Sequence, residues 1–361
     1  MGTFAIVCGG TGGHLSPGIA TAQELTQRGH RCVLIVSQKA VDKDLVAAYP
    51  EFEYFPFPGV GFSLTPWRGT QFVYLQWKNF FRALQILKQL KADAVIGFGG
   101  FLMGGILLAA WWRHLPIFLH EANRVPGKAI RFLKFLADRI YLPEGVPFKA
   151  RNSDQVKRCG FPLRKEFRPL PKTEARRILK LPPDSHILLV MGGSQGARTL
   201  TQWVVENAEP LGRRGFYILC LTGTGDRRKD LGNVTFIPFT HRVNILLCAA
   251  DLVVSRAGAG SIAELIQCTV PSILIPLPHS ADHHQYANAK TVEDEGGCVL
   301  LEQKDLSHLA EEVGGRLTDS AWLTLTRHRL AQLRCPDVVQ RMVDDMEALL
   351  NHGKFHKFKK K

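Results

Sequence analysis

The chain has 361 residues, enough for two domains at roughly 100–200 residues each. Lysine and arginine number 46 against 32 aspartates and glutamates, a net charge of +14, and 45% of residues are hydrophobic. This composition excludes disorder, collagen and coiled coil as the main architecture. The eight scattered cysteines, none in a CxxC pair, argue against a zinc ribbon or redox motif and for a reducing, cytosolic setting.

In chain order, the apolar run from Phe4 ends in Gly9-Gly10-Thr11-Gly12-Gly13-His14, which predicts a strand, a glycine turn and a helix. The run is too short, and lacks the basic flank, for a secretory signal. Cys32–Ser37 reads as the next strand. Asp42-Lys43-Asp44 has the DxD pattern of metal-dependent transferases, but its amphipathic context places it on a solvated helix surface. Gln71–Lys91 has helical periodicity, many aromatics, Lys78, Arg82, Lys88 and Lys91, and no acid. It reads equally as a core-facing helix or as one resting on a membrane interface. Ala94–Trp112 is 19 uncharged residues, but five glycines make it a strand, a glycine loop and a small-residue helix rather than a membrane span. Ile117–His120 is another strand, and the proline-rich, basic stretch Gly160–Ser185 marks a domain boundary.

The opening device then repeats: His186–Met191 runs into Gly192-Gly193-Ser194-Gln195-Gly196. Apolar strands follow at Tyr217–Leu221, Val234–Ile237, Leu252–Ser255 and Ser272–Ile275. Strands alternating with helices imply an α/β chain with parallel sheets, and such sheets bind ligands at the carboxyl ends of their strands. The closing helix, around Val338–Leu350, precedes a basic tail, Lys354–Lys361.

Glycine turns let backbone N–H groups approach a phosphate, and the following helix adds positive potential. The dinucleotide spacing GxGxxG fails at both turns, no acid ends the second strand, and no P-loop is present, so NAD is not expected. In Arg256-Ala257-Gly258-Ala259-Gly260-Ser261-Ile262-Ala263-Glu264 a helix beginning near Ser261 would face a pyrophosphate. Ser261 and Glu264 are spaced as a capping box; alternatively Glu264 takes the two hydroxyls of a ribose. His279, Asp282, His283 and His284 lack metal-ligand spacing, and no metal is expected.

Gly9–Gly18, Gly97–Phe101, His120-Glu121-Ala122-Asn123 with Val125-Pro126-Gly127, Gly192–Arg198, Arg256–Glu264 and Gln285–Asn288 together resemble the motifs of the bacterial MurG glycosyltransferases, in family order. The resemblance runs from residue 4 to about 297. It implies a GT-B fold, two Rossmann-like parallel-sheet domains facing across a cleft. Residues 1–162 would form an acceptor and membrane-associated domain and 163–335 a UDP-GlcNAc-binding domain, with 336–361 returning to the first. It also implies inverting transfer of GlcNAc from UDP-GlcNAc to the 4-hydroxyl of muramic acid in lipid I, making lipid II for peptidoglycan. The setting would be the cytoplasmic face of the inner membrane, as a peripheral protein on anionic lipid beside the cell-wall synthesis machinery, with no cofactor.

The same resemblance assigns roles. Thr11, Gly12, Gly13 and His14 would line the acceptor diphosphate and donor sugar, and Asn123 and Arg164 would contact the donor. Ser194 would hold the UDP phosphates, Ala259, Gly260, Ser261, Ile262, Ala263 and Glu264 phosphate and ribose, Gln285 the sugar hydroxyls, and the backbone near Thr240 the uracil. Ala122 and His284 stand where relatives carry glutamine. The catalytic base would be His14, with Glu121 as its rival, or a group other than these two. Another UDP-GlcNAc enzyme, a 2-epimerase or a soluble-acceptor transferase, is the alternative; nucleic-acid binding has the charge but no motif.

Overall fold

The computed structural model describes all residues except 11, 39–41, 43–44, 59–65, 101, 183–184, 193–197, 224–227 and 353–361, and the side chains of 66–73. The chain folds as two compact units, Met1–Arg164 with Cys335–Lys361, and Lys165–Arg334.

The first unit holds β1 (Thr3–Val7), β2 (Arg31–Val36), β3 (Glu53–Pro56), β4 (Ala94–Gly97), β5 (Ile117–His120), β6 (Arg139–Leu142) and β7 (Val156–Arg158). They form one parallel sheet in the order β3-β2-β1-β4-β5-β6-β7. Side chains on a strand alternate between faces, so β1 feeds two cores. Phe4 and Ile6 pack with Leu15, Ile19 and Leu34 on one face. Ala5 and Val7 pack with Val95, Leu87 and Ile106 on the other. Both faces are covered, which is why the strands read as continuous apolar runs. The covering helices are α1 (Gly12–Gln27), α2 (Pro66–Gln89), α3 (Met103–Trp112), α4 (Lys128–Leu133) and, from the far end of the chain, α12 (Val338–His352).

The second unit repeats the plan with β8 (His186–Met191), β9 (Phe216–Leu221), β10 (Val234–Ile237), β11 (Leu252–Ser255), β12 (Ser272–Leu274) and β13 (Val299–Leu300), parallel in the order β10-β9-β8-β11-β12-β13. Its helices are α5 (Lys172–Ile178), α6 (Arg198–Arg213), α7 (Val243–Ala249), α8 (Ala259–Cys268), α9 (His284–Asp294), α10 (Leu309–Thr318) and α11 (Ser320–Gln332).

Helix α12 is fastened to the first unit from both sides. Val339, Met342, Val343 and Met346 enter the core that holds Phe4 and Leu15. On its rim, Arg28 pairs with Asp344 (2.6 Å) and Glu347 (2.8 Å), and Asp345 accepts from Arg139 (2.7 Å) and the Tyr141 hydroxyl (2.9 Å). Burial, then the neighbouring Asp345, pushes the Tyr141 phenol well above its ordinary pKa, so it stays a donor.

Candidate active site

In each sheet the chain order reverses once, and parallel sheets bind ligands at that reversal. In the first unit the reversal lies between β1 and β4, which pair Val7 with Gly97. The first and second glycine turns leave the carboxyl ends of these two neighbouring strands. In the second unit it lies between β8 and β11, which pair Met191 with Ser255. The third turn and the Arg256–Gly260 turn leave those ends. Four motifs far apart in sequence therefore collapse onto two places.

Close approach explains the glycines of the first place. A Cβ on Gly9 would stand 2.2 Å from the Ser37 backbone nitrogen, where only glycine fits. Gly10, Gly99 and Gly100 have φ of 111°, 115° and 83°, the left-handed region that glycine occupies without strain. A Cβ on Gly99 would stand 2.6 Å from His14 Nε2, so the second turn is shaped around the His14 imidazole. His14 sits in the first turn of α1, among residues whose N–H groups precede the first intrahelical donor. Thr11 and Phe101 lie outside the described residues.

Asp42 corrects the sequence reading. It is not solvated surface: it is 0% exposed, and its Oδ2 accepts the N–H of Gly10 (2.7 Å), the N–H of Ser37 (3.1 Å) and the Ser37 hydroxyl. Asp44 lies outside the described residues.

Glu121 is buried at the end of β5, and its carboxylate is committed to a loop. Oε1 accepts the backbone and side-chain N–H groups of Asn123 (2.9 and 3.0 Å), and Oε2 accepts the Gly127 N–H (2.6 Å). The preceding His120 is buried beside Phe98 and Phe161, with Nε2 3.4 Å from the Gly160 carbonyl. Burial first, opposed by that carbonyl and reinforced by nearby His14, holds its pKa down at about 4, so it is a neutral wall behind His14. Arg164 is buried within the first unit: it donates to the Tyr49 hydroxyl (2.8 Å), with its guanidinium 6.0 Å from that ring.

In the second unit, α8 starts at Ala259 with Gly258 as its N-cap and no side-chain cap. The helix begins two residues before the expected Ser261, so Ser261 lies inside the first turn and the capping box is not formed. The first intrahelical bond runs from the Ile262 N–H to the Gly258 carbonyl (3.0 Å), so the N–H groups of Ala259, Gly260 and Ser261 have no acceptor in the helix. Glu264 follows Ser261 by nearly one turn on the same side. The turn is held from beneath. Buried Arg256 donates to the Ile275 carbonyl (3.2 Å) and to Gln303 Oε1 (2.6 Å), and Asn288 donates to the Ala257 carbonyl (3.3 Å). Gln285 Oε1 accepts the Leu277 N–H (2.9 Å), and Thr240 Oγ1 accepts the Arg242 N–H (3.0 Å). Ser194 lies outside the described residues. Sequence reasoning missed the supports, Asp42, Arg256 and Asn288. Only Arg256 stands beside its glycine turn in the sequence and could have signalled its role; Asp42 and Asn288 lie 32 and 31 residues from the turn residues they hold.

Helix α2 buries one face in the core and leaves aromatic side chains exposed on another. Phe80, Ala83, Ile86 and Leu87 face the core, whereas Tyr74, Trp77 and Phe81 are 67%, 59% and 56% exposed. Trp112 of α3, 65% exposed, meets Phe80 edge-on, and Trp77 stacks on Phe81 at 5.7 Å. Lys78, Arg82, Lys88 and Arg113 are exposed around them. Among the described residues no helix is long and apolar enough to cross a membrane, and no group of three or more His, Cys, Asp or Glu is placed to hold a metal.

Two Rossmann-like parallel sheets, each with a glycine turn at its reversal, are the plan of the GT-B fold. The model of the glycosyltransferase family 28 N-terminal domain matches residues 4–142, and that of the C-terminal domain matches 187–341. The UDP-N-acetylglucosamine–N-acetylmuramyl-(pentapeptide) pyrophosphoryl-undecaprenol N-acetylglucosamine transferase of Opitutus terrae is 42% identical, covering 98% of this chain and 97% of its own. The transferase of the same name from Desulforamulus reducens is 29% identical over 96% and 98%. Among solved structures, Acinetobacter baumannii MurG superposes with a TM-score of 0.72 at 23% identity, covering 96% and 99%, and the calicheamicin glycosyltransferase CalG4 with 0.69 at 17%, covering 97% and 98%. The chain belongs to the family 28 glycosyltransferases, in the family of these N-acetylglucosamine transferases.

Proposed function

We propose that this protein transfers N-acetylglucosamine from UDP-N-acetylglucosamine to the 4-hydroxyl of the muramic acid in lipid I, with inversion, forming lipid II for peptidoglycan. The 42% identity sustained over 98% of the chain carries this reading. The two amide-lined turns supply the chemistry it needs.

The first unit takes the acceptor: the N–H groups opening α1, at Gly12 and Gly13 with Thr11 before them, hold its diphosphate. The second unit takes the donor. The N–H groups of Ala259, Gly260 and Ser261, joined by Ser194, hold the UDP phosphates, Ile262 and Ala263 line the same helix start, and Glu264 accepts from the ribose hydroxyls. Gln285, its Oε1 already held by Leu277, offers its amide nitrogen to the GlcNAc hydroxyls. The backbone near Thr240 reads the uracil, and Asn123 and Arg164 complete the donor contacts.

In the transfer, the acceptor hydroxyl attacks the anomeric carbon as the bond to UDP breaks and its electron pair leaves on the diphosphate. His14 takes the hydroxyl proton. Helix dipoles and N–H groups stabilise the departing UDP, a role that needs neither metal nor cofactor. Glu121 holds the Asn123–Gly127 loop and is the rival candidate for the base.

The exposed aromatics of α2 and α3, ringed by Lys78, Arg82, Lys88 and Arg113, rest on anionic lipid at the cytoplasmic face of the membrane, where the acceptor lies. Incubation with radiolabelled UDP-GlcNAc and a lipid I analogue tests the whole reading. Label joined to the lipid acceptor is expected. Label found only as a 2-epimer, free sugar or a soluble conjugate would replace it with the alternative enzyme class.

A further inference from the structure

The first glycine turn is held by a buried carboxylate. Asp42 Oδ2 gathers the N–H of Gly10, the N–H of Ser37 and the Ser37 hydroxyl, while Oδ1, equally buried, has no partner among the described residues. A carboxylate removed from water is costly unless donors surround it, and here three converge on one oxygen. The link joins neighbouring strands: it ties the turn after β1 to the end of β2. It also spends the Gly10 N–H internally, so the anion falls to the N–H groups of Gly12 and Gly13 at the start of α1.

We propose that Asp42 is a positioning residue for the acceptor diphosphate. By drawing Gly10 and Ser37 onto one oxygen it fixes the turn so that the N–H groups of Gly12 and Gly13 converge on one anion. The inference rests on the acceptor role given above to this turn.

Steady-state transfer, with the lipid I analogue and UDP-GlcNAc varied in turn, tests it alongside thermal unfolding. Asp42→Ala removes the gathering oxygen; Asp42→Asn keeps an oxygen in its place. Asp42→Ala is expected to raise the acceptor KM by roughly tenfold or more and to leave the donor KM within about twofold, and Asp42→Asn to recover most of the loss. Should Asp42→Ala not fold, Ser37→Ala, which keeps the bond to Gly10, is expected to raise the acceptor KM alone by a smaller factor. An unchanged acceptor KM, an equal rise in both KM values, or an Asp42→Asn no better than Asp42→Ala overturns the inference. Wild-type protein that transfers nothing overturns the proposed function and this inference together, and is told apart because no substitution is involved.

Discussion

At the scale of single residues, the account separates groups that react from groups that hold. His14 lies in the opening turn of a helix, with the second glycine turn folded around its ring. His14→Ala is expected to leave UDP binding near normal and to cut turnover by roughly 10²-fold or more, the range for losing a general base. Turnover that barely changes removes His14 from that role. His120 behind it makes a different prediction. Its pKa is lowered from 6.5 to about 4 in the fold, so the unfolded chain binds the proton more tightly. The stability it contributes is complete above pH 6.5 and is lost as pH falls toward 4; the full range corresponds to about 3 kcal/mol, at about 1.4 kcal/mol per pH unit. His120→Phe should flatten the fall of the melting temperature between pH 6.5 and 4, and an unaltered slope would place the titrating group elsewhere. The glycines were legible because close approach and positive φ leave no other residue. Asp42 was not, because local spacing puts it on a helix surface, and only the fold of the β2–β3 connection over Gly10 buries it.

Among the elements, legibility followed burial. Strands β1, β2, β4, β5 and β8 to β12 are apolar runs because both faces of a parallel sheet are covered. Strands β3, β7 and β13 went unread because they are short edge strands, and β6 because it opens on Arg139 and spans four residues. Helix boundaries were less legible: α8 starts at Ala259 because Gly258 caps it by conformation alone, which no side chain announces. Helix α12 carries a stability prediction. Met342 and Met346 are fully enclosed in the first unit's core, so Met346→Ala should cost about 2–5 kcal/mol in denaturant unfolding. A loss below about 0.5 kcal/mol, the usual surface range, would contradict the packing.

For the whole molecule, surface chemistry and chain organisation point the same way. A net charge of +14 suits the anionic partners proposed above, a diphosphate and an anionic lipid surface. Because Phe80 is core and Phe81 is exposed, the informative variant is Trp77→Ser with Phe81→Ser. Co-sedimentation with anionic vesicles should fall while melting temperature holds, and unchanged sedimentation would take this face off the membrane.

The central claim is that free amides at a helix start cradle the donor's diphosphate. Ala259→Asp tests it most directly, since an acid in a first helical turn favours the helix but repels a phosphate. Calorimetric titration with UDP-GlcNAc should show binding to the wild type and a loss of roughly tenfold or more in the variant, with melting temperature kept or raised. Equal affinity in the two proteins would contradict the account.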